Sequence, residues 1–353
     1  MTRILVSGPG LIGKKHIALV KDNERSELAA IVAPDRDGNQ DLARDEDAPF
    51  FSSIETALRE VKPDAAIISS PNAFHADQVA HCLAFGIPVL VEKPLADTLE
   101  QSRRIVEDSE KCGIPVLVGH HRTYSPLLNT AETFLNSEKF GSLVAFQGAA
   151  LFYKPAEYFK EGLWRTRLGG GPILINLIHE IGLMRHFCGE IETVFAFASN
   201  HQRGFEVEDS VALTFRFRGG VVGTFLLSDS AASSKSWEMT SGENPAYPTF
   251  SDETCYHFAG SHGSLDFPSM RVRYYDKERS WWEAFEENRL DLTRFDPLER
   301  QLEHFLDVVE TGASPIVSAK DGYRNMLVIE AISNSVTQGR PIELTEIEKP
   351  WRY

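Results

Sequence analysis

Arg3–His16, RILVSGPGLIGKKH, decides how the rest of the chain is read. Ile4, Leu5 and Val6 form an apolar run of buried-strand length. Gly8-Pro9-Gly10-Leu11-Ile12-Gly13 follows at once, and Leu11, Ile12, Ile17 and Val20 then recur at helical spacing. Strand, G-x-G-x-x-G and helix in that order form a dinucleotide-binding pattern. Gly8 suits the tight turn, Gly10 lets a pyrophosphate approach the backbone, and Gly13 lets helix pack closely on strand. The helix N-terminus offers N–H groups and the positive end of its dipole to the phosphates. A dinucleotide cofactor is therefore expected along Gly8, Gly10, Leu11, Ile12 and Gly13.

The composition sets the scale. With 353 residues, 42% of them hydrophobic, the chain can build two domains with sizeable cores. Its 36 basic and 51 acidic residues give a formal charge of −15, and no basic block occurs, which argues against nucleic acid as a partner. Cys82, Cys112, Cys188 and Cys255 lie far apart, with neither C-x-x-C nor zinc spacing. Reduced thiols and no metal are expected. No run approaches the ~18 apolar residues of a membrane span, and the first apolar run is too short for a signal peptide. A reducing cytoplasm is the expected setting.

Leu28–Ala33 reads as a second strand that ends at Pro34-Asp35. Asp35 stands about twenty residues past the glycine loop, where a carboxylate accepts both hydrogen bonds of an adenine ribose diol. That carboxylate also repels a 2′-phosphate and favours NAD, whereas Arg36 next door could admit NADP. A plain turn aspartate is the alternative, because Pro-Asp-Arg-Asp-Gly is good turn chemistry. Helical stretches Leu42–Asp47, Ile54–Val61 and Leu99–Lys111 alternate with apolar runs Phe50-Phe51, Ala65–Ser69, Ile87–Val91 and Pro115–Val118. Such alternation predicts βαβ units and a parallel sheet through about residue 120. Ligands sit at strand carboxyl ends, where Ser70-Pro71-Asn72, Glu92-Lys93-Pro94 and His120-His121-Arg122 fall.

The pattern changes after Tyr124. Leu127–Phe134 reads as a helix. Leu143–Phe152, Thr193–Ser199, Ser210–Arg216 and Val221–Leu227 alternate as antiparallel strands with one buried face. Further strands are expected near His257–Phe267 and Met270–Tyr275, and helices over Ile173–Phe187, Pro297–Glu310 and Lys320–Gln338. Ser228–Ser251, rich in Ser, Pro, Gly and Asn, reads as a long loop. Phe195, Phe197, Val211, Leu213, Phe215, Val222 and Phe225 are assigned to one apolar sheet face, left open for a second copy of the chain.

Two residues stand out chemically. Lys93, just past a strand end, can donate to a substrate hydroxyl or carbonyl, although a solvated loop lysine is the plainer reading. His179 lies in the helix that follows Gly169-Gly170-Gly171-Pro172, a good helix start. Ile175, Leu177, Ile178 and Ile181 surround it, and Asn176 at i−3 could orient its imidazole. A core histidine bonded to a carbonyl is the alternative.

The motifs taken together resemble the Gfo/Idh/MocA family of NAD(P)-dependent oxidoreductases, over nearly the whole chain. The carriers are Gly8-x-Gly10-x-x-Gly13 with His16, Ser70-Pro71-Asn72-x-x-His75, Glu92-Lys93-Pro94, Gly119-His120-His121-Arg122, Trp164-Arg165, Gly169-Gly170-Gly171 and His179. Pro315-x-Val317-Ser318-x-x-Asp321-Gly322 and Gly339-Arg340-Pro341 also fit. The resemblance implies an α/β fold: a Rossmann doubly wound parallel sheet, then an α/β domain with an open, mostly antiparallel sheet. The division falls here at 1–122 and 123–353, with substrate binding and oligomerisation assigned to the second. It implies homodimers or homotetramers, and hydride transfer at a sugar, cyclitol or related cyclic hydroxyl. By position it makes Lys93 and His179 catalytic. Ser70, Pro71, Asn72, His75, Glu92, Pro94, His121 and Arg122 would serve the cofactor, with Trp164 and Arg165 closing over it. Lys93, His121, Asn176 and His179 would meet the substrate.

One departure bears on mechanism. The family's aspartate four residues before the histidine is Ile175 here, and the acid often found three residues after it is Gly182. Asn176 is the nearby polar replacement. An imine or enone reductase and a non-catalytic nicotinamide-sensing regulator are therefore the rival readings.

Overall fold

A computed structural model describes residues Met1–Trp351. The chain first lays down strands β1 (Thr2–Ser7), β2 (Ser26–Val32), β3 (Phe50–Phe51), β4 (Ala65–Ile68), β5 (Val89–Val91) and β6 (Val116–Val118). Helices α1 (Leu11–Asp22), α2 (Asp37–Asp45), α3 (Ile54–Val61), α4 (His75–Ala84) and α5 (Leu99–Cys112) alternate with them. The sheet order is β3-β2-β1-β4-β5-β6, all parallel, so the winding reverses between β1 and β4. Strands covered on both faces must be apolar throughout, and Ile4, Leu5, Val6, Ala65, Ala66, Ile67 and Ile68 are fully buried. Ser53 and Thr98 cap α3 and α5 through their side-chain oxygens, each cap contributing roughly 1 kcal/mol.

The chain continues through α6 (Pro126–Leu135), β7 (Leu143–Leu151) and α7 (Ala156–Lys160). A π-type turn over Ile173–Leu177 then runs into α8 (Ile178–Cys188). Next come β8 (Ile191–Ser199), β9 (Ser210–Phe217), β10 (Val222–Ser228), α9 (Trp237–Thr240), β11 (Tyr256–Gly260), β12 (Gly263–Phe267), β13 (Arg271–Tyr274) and β14 (Glu286–Arg289). Helices α10 (Pro297–Thr311) and α11 (Ala319–Gln338) and strand β15 (Ile342–Glu343) follow. The second sheet has nine strands in the order β14-β13-β12-β11-β7-β10-β9-β8-β15. Only β7 and β10 pair parallel. No helix among the described residues is long and apolar enough to cross a membrane.

Two compact units result. One comprises Met1–His121, Leu298–Met326 and the chain from Pro350; the other comprises Arg122–Pro297 and Leu327–Lys349. In the first, Leu302, Phe305, Leu306 and Val308 of α10 join the core of Ile4, Val6, Ile17 and Ile31. Arg25 fastens the same helix through Glu303, Asp307 and Glu310. In the second, Phe187 of α8 stands edge-on to Phe258 and Phe267 of the sheet.

Several expectations need correcting. The strands expected near His257–Phe267 are present as a hairpin, β11 and β12, with Ser261-His262 turning the chain between two glycines. Strand β14 carried no apolar pattern, since all four residues are exposed on an edge strand, where charge discourages pairing with another chain. Ser228–Ser251 is not an open loop: α9 buries Trp237 and Thr240, and four residues are too few to show a helical period. Leu11 is 95% exposed at the first position of α1, whose inner face is Gly13, His16, Ile17 and Val20. The assigned apolar face is in fact two faces. Register pairs Leu213 with Ala196 and Phe225, while Phe195 lies opposite Thr214 and Val222 opposite Arg216. Val211, Leu213, Phe215 and Phe225 therefore point to the core, and Phe195, Phe197 and Val222 point the other way.

Candidate functional site

The glycine loop leaves β1 at its carboxyl end, at the switch between β1 and β4. Gly8 has φ +85, and a Cβ there would lie 2.4 Å from the Ser70 nitrogen. A Cβ on Gly13 would lie 2.1 Å from the Gly8 carbonyl oxygen. These two glycines are needed for backbone packing. Gly10 differs, since a Cβ there would meet nothing within 4 Å. It is also the N-cap of α1 and supplies no side-chain hydrogen bond. The helix start thus presents open backbone with a positive dipole end, which fits a pyrophosphate. Leu11 and Ile12 form the rim of that turn. Asp35 is exposed past β2, its carboxylate held by Gln40, and Arg36 is the N-cap of α2.

The neighbouring strand ends are tightly organised. Ser69 Oγ donates to the carbonyls of Ser7 and Gly8, both at 2.9 Å. Ser70 Oγ donates to Gln78 at 2.8 Å, and Asn72 opens a short turn after the exposed Pro71. The buried His75 places its ring nitrogens 2.8 Å from the Ser70 carbonyl and 3.0 Å from that of Pro94, tying the two loops together. Glu92 is fully enclosed. Its Oε1 lies 2.9 Å from His16 Nε2, and its Oε2 accepts from the Lys93 backbone N–H at 3.2 Å. A Cβ on Gly119 would touch the carboxylate at 2.8 Å, so glycine makes its room. Burial alone would raise the Glu92 carboxyl. The hydrogen bond and charge of His16, with the charges of Lys93 and His121, outweigh burial and hold it below its ordinary value. A buried anion thus sits beside the partly buried Lys93, with Pro94 buried behind it.

In the other unit, the glycine run Gly169–Gly171 has reasons beyond starting a helix. A Cβ on Gly170 would strike the Trp164 carbonyl, and one on Gly171 the Glu208 carboxylate. Glu208 accepts from the Ile173 N–H at 2.8 Å, at the start of the π turn. π turns inside helices often mark functional positions, and this one ends two residues before the buried His179. Asn176 lies within the turn, and its Oδ1 accepts from Lys154 Nζ at 2.6 Å. Arg122 is buried, donating to Glu180 and Glu238 at 2.6 Å each while stacking over Trp237. Trp164 is 52% exposed. Arg165 stacks over Tyr158 and donates to its carbonyl.

Residues beyond the sequence expectations join these contacts. Glu180, next to His179, accepts from Arg122 and from Tyr256. Lys154 Nζ lies 3.5 Å from Asp229 Oδ2, whose Oδ1 accepts from Arg203 Nε at 2.8 Å. Lys154 and Asp229 share a mark in the sequence, a charged residue just past a strand end, after β7 and β10. Among the described residues, no group of three His, Cys, Asp or Glu side chains could hold a metal.

Comparison with known proteins agrees with this geometry. The family model described as an oxidoreductase family with an NAD-binding Rossmann fold matches residues 2–120, and the GFO/IDH/MocA C-terminal domain matches residues 128–266. The scyllo-inositol 2-dehydrogenase (NAD(+)) of Bacillus subtilis is 24% identical over 97% of this chain and 96% of its own. The 1,5-anhydro-D-fructose reductase of Ensifer adhaerens is 24% identical over 83% of both chains. Among solved structures, an oxidoreductase from Thermotoga maritima superposes with a TM-score of 0.82 at 20% identity, covering 98% of this chain and 99% of its own. The WlbA dehydrogenase from Bordetella pertussis, solved with NADH and UDP-GlcNAcA, gives 0.77 at 20% identity over 97% and 98%. The chain belongs to the Gfo/Idh/MocA family of NAD(P)-dependent oxidoreductases.

Proposed function

We propose that this protein transfers a hydride between NAD and a hydroxyl-bearing carbon of a sugar, cyclitol or related cyclic polyol. The observation that carries the reading is the open, uncapped start of α1 at Gly10, on the same strand-end edge of the sheet as Glu92-Lys93-Pro94. Relatives named for inositol, D-xylose and 1,5-anhydro-D-fructose support the substrate class. Gly8–Gly13 would hold the pyrophosphate and Asp35 the adenine ribose. Ser70, Pro71, Asn72, His75, Glu92, Pro94, His121, Arg122, Trp164 and Arg165 remain the proposed surroundings of the cofactor.

Bound there, the nicotinamide supplies the hydride acceptor for oxidation. The substrate C–H bond breaks with its electron pair, the O–H bond gives up a proton, and CH–OH becomes C=O. His179 accepts that proton, since an imidazole titrates near neutral pH. Lys93 donates to the substrate oxygen and stabilises the negative charge that develops on it. A positioned base of this kind accelerates the step by roughly 10²–10⁴-fold. An assay of scyllo-inositol, D-xylose and 1,5-anhydro-D-fructose with NAD(H) and NADP(H) tests the reading. Turnover of at least one is expected. Tight NADH binding without turnover on a broad polyol panel would favour the non-catalytic sensor.

A homo-oligomer in a reducing cytoplasm completes the proposal. The four cysteines are all free. The outward sheet face carries Phe197, Val222 and Leu226 at 66%, 54% and 46% exposure, and Phe195, Val222 and Thr224 help line a groove of about 710 Å³. Apolar surface of this kind marks an interface. Light scattering at micromolar concentration is expected to give at least a dimer, and a monomer would contradict it.

A further inference from the structure

Lys154 is the charged residue whose placement the chemistry above leaves unused. It follows β7, and its side chain is only 9% exposed. Burying an ammonium is costly unless its surroundings are polar. Its ion pair with Asp229 is a long one. Asp229 already accepts from Arg203 Nε at 2.8 Å and is itself buried, whereas Lys154 stands 3.5 Å away. Lys154 donates to Asn176 Oδ1 at 2.6 Å, on the turn that leads into His179. Asn176 precedes His179 by three residues, on the π turn that runs into α8, so the ammonium is bonded to the segment that carries the histidine. Apolar walls flank them: the Tyr158 ring lies 4.9 Å from Nζ and the Phe152 ring 5.6 Å. An ammonium, an amide and a carboxylate set between aromatic faces suit a ring with polar hydroxyl edges and apolar C–H faces. A few placed polar groups in an apolar setting are what fix a small ligand's orientation.

We propose that Lys154, held by Asn176 and Asp229, is a specificity-determining residue that binds the substrate hydroxyl next to the one being oxidised. The inference rests on the polyol reading above. A site built to hydrogen-bond a hydroxyl discriminates strongly against the analogue that lacks it, because its buried polar groups are then left unpaired. Lys154→Met removes that discrimination.

Calorimetry on the NADH-loaded protein tests this without requiring turnover. The probes are scyllo-inositol with its monodeoxy analogue, and D-xylose with 2-deoxy-D-xylose. Lys154→Met is expected to weaken the parent polyol by roughly 10- to 100-fold, the loss of one hydrogen bond from a charged donor. Its affinity for the deoxy partner and for NADH is expected to match the wild type. Lys154→Gln, which keeps a donor, is expected to fall between and replaces Lys154→Met if the latter does not fold. Equal loss of parent and deoxy affinity, or no loss of either, overturns the proposal. Failure of every polyol to bind the wild-type protein overturns it together with the substrate reading, whereas a bound polyol indifferent to residue 154 overturns this proposal alone.

Discussion

Two carboxylates, one in each unit, meet burial in opposite ways. Glu92 is enclosed at the strand ends of the parallel sheet, with His16, Lys93 and His121 around it, and its carboxyl is held below the ordinary value. Glu243 lies beyond α9 in the other unit. Burial pushes its carboxyl up to about 7, against the Ser125 hydrogen bond and the charges of Arg122 and Arg294. The first unit thus favours a carboxylate anion beside a lysine proposed for catalysis. The second spends its cation, Arg122, on Glu180 and Glu238, and leaves Glu243 less well compensated. A buried acid stays ionised where cations are arranged around it and takes up a proton where they are committed elsewhere.

Glycine substitutions sharpen the first half of the comparison with the largest expected change in stability. Gly8→Ala puts a Cβ against the Ser70 backbone at a left-handed φ, which costs on the order of 3 kcal/mol. Thermal melting is expected to show a clearly lowered Tm. Gly10→Ala, with open space at its Cβ, is expected to melt near the wild type while weakening NADH. Equal melting of Gly8→Ala and the wild type would contradict the close packing of β1 and β4 ends.

The two carboxylates themselves predict opposite pH limbs. A depressed folded pKa gives stability that is present above the unfolded value of about 4.5 and is lost as pH falls through the folded value. Glu92→Gln is therefore expected to be destabilised by roughly 1–3 kcal/mol at neutral pH, with the deficit closing in acid. A raised folded pKa does the reverse: stability is lost as pH rises from about 4.5 to about 7. Glu243→Gln is expected to exceed the wild type at about pH 8 by a few degrees in Tm and to match it below about pH 4.5. Urea and thermal titrations across pH decide between these limbs. Parallel profiles for both variants would break the comparison.

The smallest effect concerns the cofactor's ribose. Asp35→Ser is expected to weaken NAD by about tenfold, the value of one or two lost hydrogen bonds, and to improve NADP. Unchanged NAD affinity by calorimetry would remove Asp35 from the ribose. Tighter NADP than NAD in the natural protein would give Arg36 the deciding part.

The same contrast explains what could be read from the chain. The parallel sheet was legible because strands buried on both faces are continuous apolar runs, and because the glycine loop is local. Ser70, His75 and Glu92 fall at adjacent strand ends, so short motifs contain them. The contacts beside the π turn and α8 join Arg122 and Tyr256 to Glu180, Lys154 to Asn176 and Arg203 to Asp229, pairings that no short window contains. The π turn at Ile173–Leu177 shifts Asn176 away from regular helical spacing. The faces of the antiparallel sheet also escaped, because Phe195 and Phe215 are alike in the sequence. Register alone sends them to opposite sides.

The central claim is that the protein moves a hydride while His179 takes the proton, with cofactor binding supplied by the glycine loop. The most direct measurement compares turnover and NADH affinity in the wild type and in His179→Ala, on the polyol the wild type oxidises. The account predicts turnover reduced about a hundredfold or more, with NADH affinity nearly unchanged. Near-normal turnover in His179→Ala would contradict it and leave Lys93 or His121 as the proton acceptor.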